Sequence, residues 1–251
     1  MGELENFEKE RAELVSSNSK NKELQDAADA FLTKSADLNY SYNFSWLGRP
    51  IIQYPQDMII MQELLFEVKP DLIIETGVAR SGSLIFYSSI LSLIHKKYKV
   101  IGVDIDIRNH AKKVLKEHKF SKNITTFQGS SNDEKILNKI SKLSKKYKKI
   151  LVCLDSDHTH QHVLDELKNY NKFVSKNSYL VVFDTTQGSF DQKNINKISK
   201  VYKYKPWGKN SNPLTAVKEF LKNNKNFIIN ENPFKKALVS NCYSGFLKKI
   251  K

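Results

Sequence analysis

Residues 71–83 read Asp-Leu-Ile-Ile-Glu-Thr-Gly-Val-Ala-Arg-Ser-Gly-Ser, an apolar run that breaks into small residues before a second apolar segment begins at Leu84. The pattern predicts a buried strand ending at Glu75, a tight turn, and a helix. Gly77 and Gly82 allow the backbone to turn sharply and approach a ligand, and the first N–H groups of the following helix point back towards it. This is the first strand-to-helix turn of a nucleotide-type α/β domain. Its spacing is looser than Gly-x-Gly-x-x-Gly, with Ala79 in place of the second glycine and an acidic residue at the strand end.

Outward from this turn, apolar segments alternate between strand and helix character. Strands are expected at 72–75, 100–104, 124–128, 150–154 and 179–183, with helices at 84–95, 111–118, 133–144 and 162–174 between them. Five short apolar strands joined by helices specify a parallel sheet with right-handed crossovers. Beyond residue 185 the pattern changes to a long loop to about residue 212, a helix at 214–221, and two strands at 227–230 and 237–247. A closing antiparallel hairpin on a five-stranded parallel sheet is the class I methyltransferase (Rossmann-like) arrangement.

At 251 residues the chain suits one large α/β domain, expected over residues 57–251, preceded by an extension over residues 1–56. Residues 3–38 have helical periodicity. Residues 40–56 are aromatic and turn-rich, and are read either as a cover over the cofactor or as packing between the helices and the core. Residues 1–40 hold 5 Lys/Arg against 9 Asp/Glu, leaving 36 against 18 in the remainder, within a formal net charge of +14. That partition suggests that the acidic segment docks on the basic body of its own chain or of a second copy in a homo-oligomer. The lysines are scattered and arginine is scarce, which argues against specific nucleic-acid readout. Two cysteines, Cys153 and Cys242, lie in apolar runs and read as unpaired packing residues in a cytoplasmic protein. No apolar run reaches the roughly 20 residues needed to span a bilayer.

Ligands of doubly wound sheets collect at the carboxyl ends of the strands, and here those ends form an acidic row. Glu75 follows the first strand, Asp104 and Asp106 the second, Asp155 and Asp157 the fourth, and Asp184 the fifth. An acidic strand end beside a loose glycine turn suits S-adenosylmethionine better than a pyrophosphate. Asp104 can accept both ribose hydroxyl protons, or it can cap the next helix. Asp155 and Asp184 end neighbouring strands and can share an oxygen-loving cation such as Mg²⁺. Asp157 is expected to cap the helix that begins near Thr159. His158, His160 and His162 resemble zinc ligands, but the Glu of His-Glu-x-x-His is missing and no cysteine is nearby. His158 reads as a general base beside the metal, and His160 and His162 as ordinary helix-start residues.

The series Trp46-Leu47-Gly48-Arg49-Pro50, Glu75-Thr76-Gly77 with Ser81-Gly82-Ser83, Gly102-Val103-Asp104-Ile105-Asp106, Gly129-Ser130-Ser131, Leu154-Asp155-Ser156-Asp157-His158, His162-Val163-Leu164-Asp165-Glu166-Leu167 and Val182-Phe183-Asp184-Thr185 resembles the cephalosporin hydroxylase family over roughly residues 44–248. Despite that name, the family implies S-adenosylmethionine-dependent O-methyltransferases, rhamnosyl O-methyltransferases among them. The resemblance places adenosylmethionine against Glu75, Gly77, Gly82 and Ser83, its ribose on Asp104, its adenine near Ser131, and Mg²⁺ on Asp155 and Asp184. It departs at Phe183, where the family has an acidic residue before the second aspartate. His158 occupies the offset at which the more distant catechol O-methyltransferases carry a catalytic lysine.

The resulting expectation is methyl transfer to a hydroxyl of a sugar, glycolipid or other small molecule. An RNA methyltransferase and a non-catalytic cofactor-binding protein are the alternatives. Tyr202, Tyr204 and Trp207, in the long loop, are expected at the acceptor site.

Overall fold

The structure, a computed structural model, describes residues 2–190 and 208–251. Tyr202, Tyr204 and Trp207 lie outside the described residues.

Two helices lead the chain. α1 (Glu3–Asn18) has no buried residue, whereas α2 (Lys22–Asp37), capped by Asn21, buries Ala28, Leu32 and Ser35. The ion pairs of this acidic segment, Arg11–Glu8 and Lys22–Asp26, are internal to it. Among the described residues no ion pair links it to the basic body, and its contact there is apolar, through Ala28 and Leu32 against Tyr54, Phe190 and Val239.

The aromatic stretch folds as a hairpin of β1 (Phe44–Trp46) and β2 (Arg49–Ile51), turned by Leu47 and Gly48, both at positive φ. Trp46 donates its indole N–H to Ser89 Oγ at 2.9 Å and stands edge-on to Phe86 with ring centroids 5.0 Å apart. The hairpin is thereby packed on the core.

α3 (Pro55–Val68) starts at a proline, which suits the first helical turn. β3 (Leu72–Thr76), α4 (Gly82–Ile94), β4 (Lys99–Asp104), α5 (Asn109–Glu117), β5 (Ile124–Gln128), α6 (Glu134–Ser144), β6 (Ile150–Leu154), α7 (His160–Tyr170) and β7 (Tyr179–Val182) then alternate as expected. The chain ends with α8 (Pro213–Asn223), β8 (Phe227–Ile229), α9 (Asn232–Ala237) and β9 (Phe246–Lys249).

The main sheet runs β5-β4-β3-β6-β7-β9-β8, with the first five strands parallel and β9 antiparallel to both β7 and β8. β3, β6 and β7 are buried along their whole length, which explains their near-continuous apolar sequences. Successive residues still face opposite sides. Ile74, Val152 and Val182 pack beneath α6, α7 and α8, while Ile73, Leu151 and Val181 pack beneath α3 and α4. The order places β6 and β7 side by side, so Asp155 and Asp184 emerge from adjacent strands at the same edge.

One strand is much shorter than expected. The strand anticipated at 237–247 begins only at Phe246. Pro233 stands in the first turn of the short helix Asn232–Ala237, and Leu238 and Ser244 adopt positive φ in the loop that follows. That loop is tied down by the buried Asp57 carboxylate, which accepts from Ser240 Oγ and, at 2.8 Å, from the Asn241 N–H. A buried carboxylate that collects donors from a loop competes with strand pairing for the same backbone groups.

Candidate active site

A cavity of about 380 Å³ opens at the carboxyl ends of β3, β4 and β6, lined by Gly77, Ala79, Asp104, Ser131, Asp155 and His162 among others. None of its lining residues comes from the hairpin, although Gln53, just after it, donates to the cavity residue Asp155.

The turn after β3 is shaped by close approach. Gly77 has φ +91, and a Cβ there would lie 1.9 Å from the Asp155 carbonyl oxygen, so no side chain fits. Ala79 and Ser81 also have positive φ, an uncommon condition for two non-glycine residues in one turn. Asp104 compensates for part of this: Oδ2 accepts from Val78 N at 2.8 Å and Ala79 N at 3.1 Å, and Oδ1 accepts from Asp106 N at 2.9 Å. The carboxylate expected to grip a ribose therefore also holds the turn, and it keeps its place on the cavity wall.

Three residues assigned to the cofactor sit behind the turn and do not line the cavity. Gly82 meets the hairpin, because a Cβ there would lie 2.1 Å from the Pro50 carbonyl oxygen. Its small size serves packing against Pro50. Ser83 Oγ donates to Glu75 Oε2 at 2.7 Å. Glu75 is completely buried, and burial pushes its carboxyl up to about 8. Its Oε1 has no hydrogen-bond partner among the described residues.

On the far wall, Ser131 is buried and its Oγ lies 3.1 Å from His162 Nε2. His162 also lies 3.2 Å from Ser156 Oγ and 3.3 Å from Glu166 Oε1, and Ser156 donates to that same Glu166 oxygen at 2.7 Å. Glu166 is fully buried, and its hydrogen bond holds His162 above the usual imidazole pKa. Sequence reasoning passed over His162 as a helix-start residue. The i,i+4 spacing of His162 and Glu166 on one helix face was the available signal. The N-cap of α7 is Thr159, which accepts from His162 N, while Asp157 Oδ1 accepts from Thr159 N at 2.8 Å. Asp157 thus braces the cap and is not itself the N-cap residue.

Asp155 stands on the cavity wall, and Asp184 follows the neighbouring strand. Burial first, and Asp184 next, push the Asp155 carboxyl well above its ordinary range. Asp184 has φ +57 at the head of the turn Thr185–Ser189, and its Oδ2 lies 3.1 Å from His158 Nε2. The three histidines diverge: His158 faces Asp184, His160 faces Thr215 and Glu219, and His162 faces Glu166. Phe183 is buried in the core on the side of α3 and α4, close to Met61 and Tyr87.

Among the described residues, no cluster of three or more His, Cys, Asp or Glu side chains is arranged to hold a metal, and no lysine or arginine forms an ion pair with Asp57, Glu75 or Asp155. Buried carboxylates without a paired cation favour either protonation or a bound positive charge. A sulfonium cofactor in the cavity and a divalent ion near Asp155 and Asp184 both fit that electrostatic setting.

Solved structures share this architecture. Apo CmcI aligns with a TM-score of 0.58 at 18% identity, covering 84% of this chain and 77% of CmcI. CmcI with magnesium and SAM gives 0.57 at 17%, covering 84% and 78%. The O-methyltransferase TomG from Streptomyces achromogenes gives 0.51 at 14%, covering 90% of each chain. The fold is that of a class I methyltransferase.

Residues 38–250 match the family described as Rhamnosyl O-methyltransferase/CmcI, and the chain belongs to that family. The rhamnosyl O-methyltransferase of Mycobacterium tuberculosis is 35% identical over 130 residues, covering 51% of each protein. That of Mycobacterium leprae is 32% identical over 149 residues, covering 59% of this chain and 63% of the relative. The chain therefore spans about half the length of the Mycobacterium tuberculosis relative in this match.

Proposed function

We propose that this protein is an S-adenosylmethionine-dependent O-methyltransferase whose acceptor is a hydroxyl of a sugar or glycolipid, assisted by Mg²⁺. The observation that carries the reading is the junction at Asp155. This residue lines the cofactor cavity and stands on the strand next to Asp184, whose carboxylate meets His158. Family membership and the rhamnosyl O-methyltransferase relatives support a sugar acceptor. The two free, buried cysteines accord with a reducing, cytoplasmic setting. Residues 57–251 are taken as the catalytic domain and 1–56 as an extension.

In this reading Gly77 admits the cofactor close to the backbone, Asp104 accepts from its ribose hydroxyls, and Ser131 stands at its base. Glu75 and Ser83 support the turn from behind. Asp155 and Asp184 hold the cation. Bound S-adenosylmethionine supplies an electrophilic methyl group, and a divalent cation lowers the pKa of a coordinated hydroxyl. His158 would take the acceptor's hydroxyl proton on an imidazole nitrogen, leaving the oxygen free to accept the methyl group that the cofactor would supply. Asp184 then steadies the imidazolium so formed.

The test is transfer of labelled methyl groups by the full chain to a panel of rhamnosides and related deoxysugar glycosides, with and without chelator. Base-stable ether labelling that chelator suppresses is the expected result. Salt-sensitive labelling of RNA alone would transfer support to the RNA methyltransferase reading. Failure to bind S-adenosylmethionine would leave the non-catalytic reading.

A further inference from the structure

Gln53 lies between β2 and α3, in a segment outside the parallel sheet, yet its side chain reaches the sheet's carboxyl edge. Its neighbours fix it there. Ile51 and Tyr54 are both buried, and the Tyr54 hydroxyl is 2.7 Å from Ser35 Oγ of α2, so the segment is held from both sides. Pro55 then restricts the backbone as α3 begins. Gln53 is 7% exposed, and its Nε2 donates to Asp155 Oδ2 at 3.1 Å.

The other half of the amide is unsatisfied. Gln53 Oε1 is buried with no hydrogen-bond partner among the described residues. A buried carbonyl oxygen left unbonded bears its full desolvation cost, so the position calls for a donor or a cation. Turning the amide over would set this oxygen against the Asp155 carboxylate. The arrangement with the N–H towards Asp155, which leaves the buried oxygen free beside that carboxylate, is therefore the electrostatically consistent one. Amide carbonyls suit hard divalent ions, and a neutral ligand adds no third negative charge to the repulsion between Asp155 and Asp184. Phe183, packed in the core, provides no oxygen.

We propose that Gln53 Oε1 is the third protein oxygen of the divalent-cation site, with its own N–H group orienting Asp155. The inference rests on the reading that Asp155 and Asp184 hold such an ion. It makes the segment before α3 part of the site and assigns the oxygen that the sheet itself does not supply.

The experiment measures Mn²⁺ binding to the full chain by the loss of the free-ion paramagnetic resonance signal, with S-adenosylhomocysteine affinity and melting temperature as folding controls. Gln53→Met preserves bulk and removes both polar atoms, and should weaken Mn²⁺ by about 10- to 100-fold. Gln53→Glu keeps the oxygen and loses the N–H donor. It should bind Mn²⁺ at least as tightly as the parent and show a larger metal-induced rise in melting temperature. Equal weakening in both variants would mean that Gln53 only orients Asp155, and would overturn the ligand assignment. Parental affinity in Gln53→Met, alongside loss of binding in Asp155→Asn, would also overturn it while leaving the cation reading intact. No saturable Mn²⁺ binding by a parent that binds S-adenosylhomocysteine would overturn both. Should Gln53→Met fail to fold, Gln53→Asn, whose amide is too short to reach, should show the same weakening.

Discussion

His158 Nε2 lies 3.1 Å from Asp184 Oδ2, joining the loop after β6 to the turn after β7 at one mouth of the sheet. A carboxylate in this position orients the imidazole and stabilises its protonated form once the ring has accepted a proton. His158→Ala should lower turnover by about 10²- to 10⁴-fold, the usual contribution of a general base, while cofactor affinity is retained. Single-turnover methyl transfer, with cofactor affinity measured separately, checks the role: the chemical step should slow while binding is unchanged. A variant with parental turnover would remove His158 from the chemistry.

Asp104 makes three hydrogen bonds to the backbone of Val78, Ala79 and Asp106 while standing on the cavity wall. Asp104→Ala should therefore weaken S-adenosylhomocysteine binding by about 1–3 kcal/mol, by freeing both the ribose partners and the strained turn. Calorimetry measures the affinity. An unchanged value would show that the ribose lies elsewhere.

Gly82 is set by the hairpin, since an added Cβ would come within 2.1 Å of the Pro50 carbonyl oxygen. Gly82→Ala should cost about 1–3 kcal/mol of stability, as overpacking typically does, by forcing the hairpin off α4. Denaturant unfolding followed by tryptophan fluorescence reads both effects, because Trp46 is hydrogen-bonded to Ser89 in that interface. Parental stability would contradict the packing described.

Asp57 is raised from 3.8 to about 7, chiefly by burial, with its hydrogen bonds to Asn241 and Ser240 opposing the shift. The folded chain therefore holds this proton over a range in which the unfolded chain has released it. The stabilisation is fully present below pH 4 and is lost as pH rises through 7, at up to roughly 1.4 kcal/mol per pH unit. Without metal or cofactor, stability should fall between pH 5 and pH 8 more steeply in the parent than in Asp57→Asn, whose amide can still serve Asn241 and Ser240. Parallel pH curves from thermal melts would show that Asp57 does not titrate in this window.

The local steps of the fold could be read from the chain because they depend on near neighbours. The breaks at Gly77 and Gly129 and the apolar runs that become β3 and β6 follow from backbone freedom and unbroken burial, which act within a few residues. The acidic row at the strand ends followed as well, once five parallel strands fixed which ends face the ligand.

Tertiary structure decided what depends on partners distant in sequence. The close approach of Pro50, far back in the chain, to Gly82 is a packing constraint that the local sequence does not display. The strand expected from residue 237 yields to a loop because Asp57, more than 180 residues earlier, captures its backbone and side chains. His162 meets Ser131, on a loop 31 positions away. Gln53 reaches Asp155 across 102 positions. Burial and long-range hydrogen bonding set these outcomes, and neither has a period or spacing that a linear sequence displays.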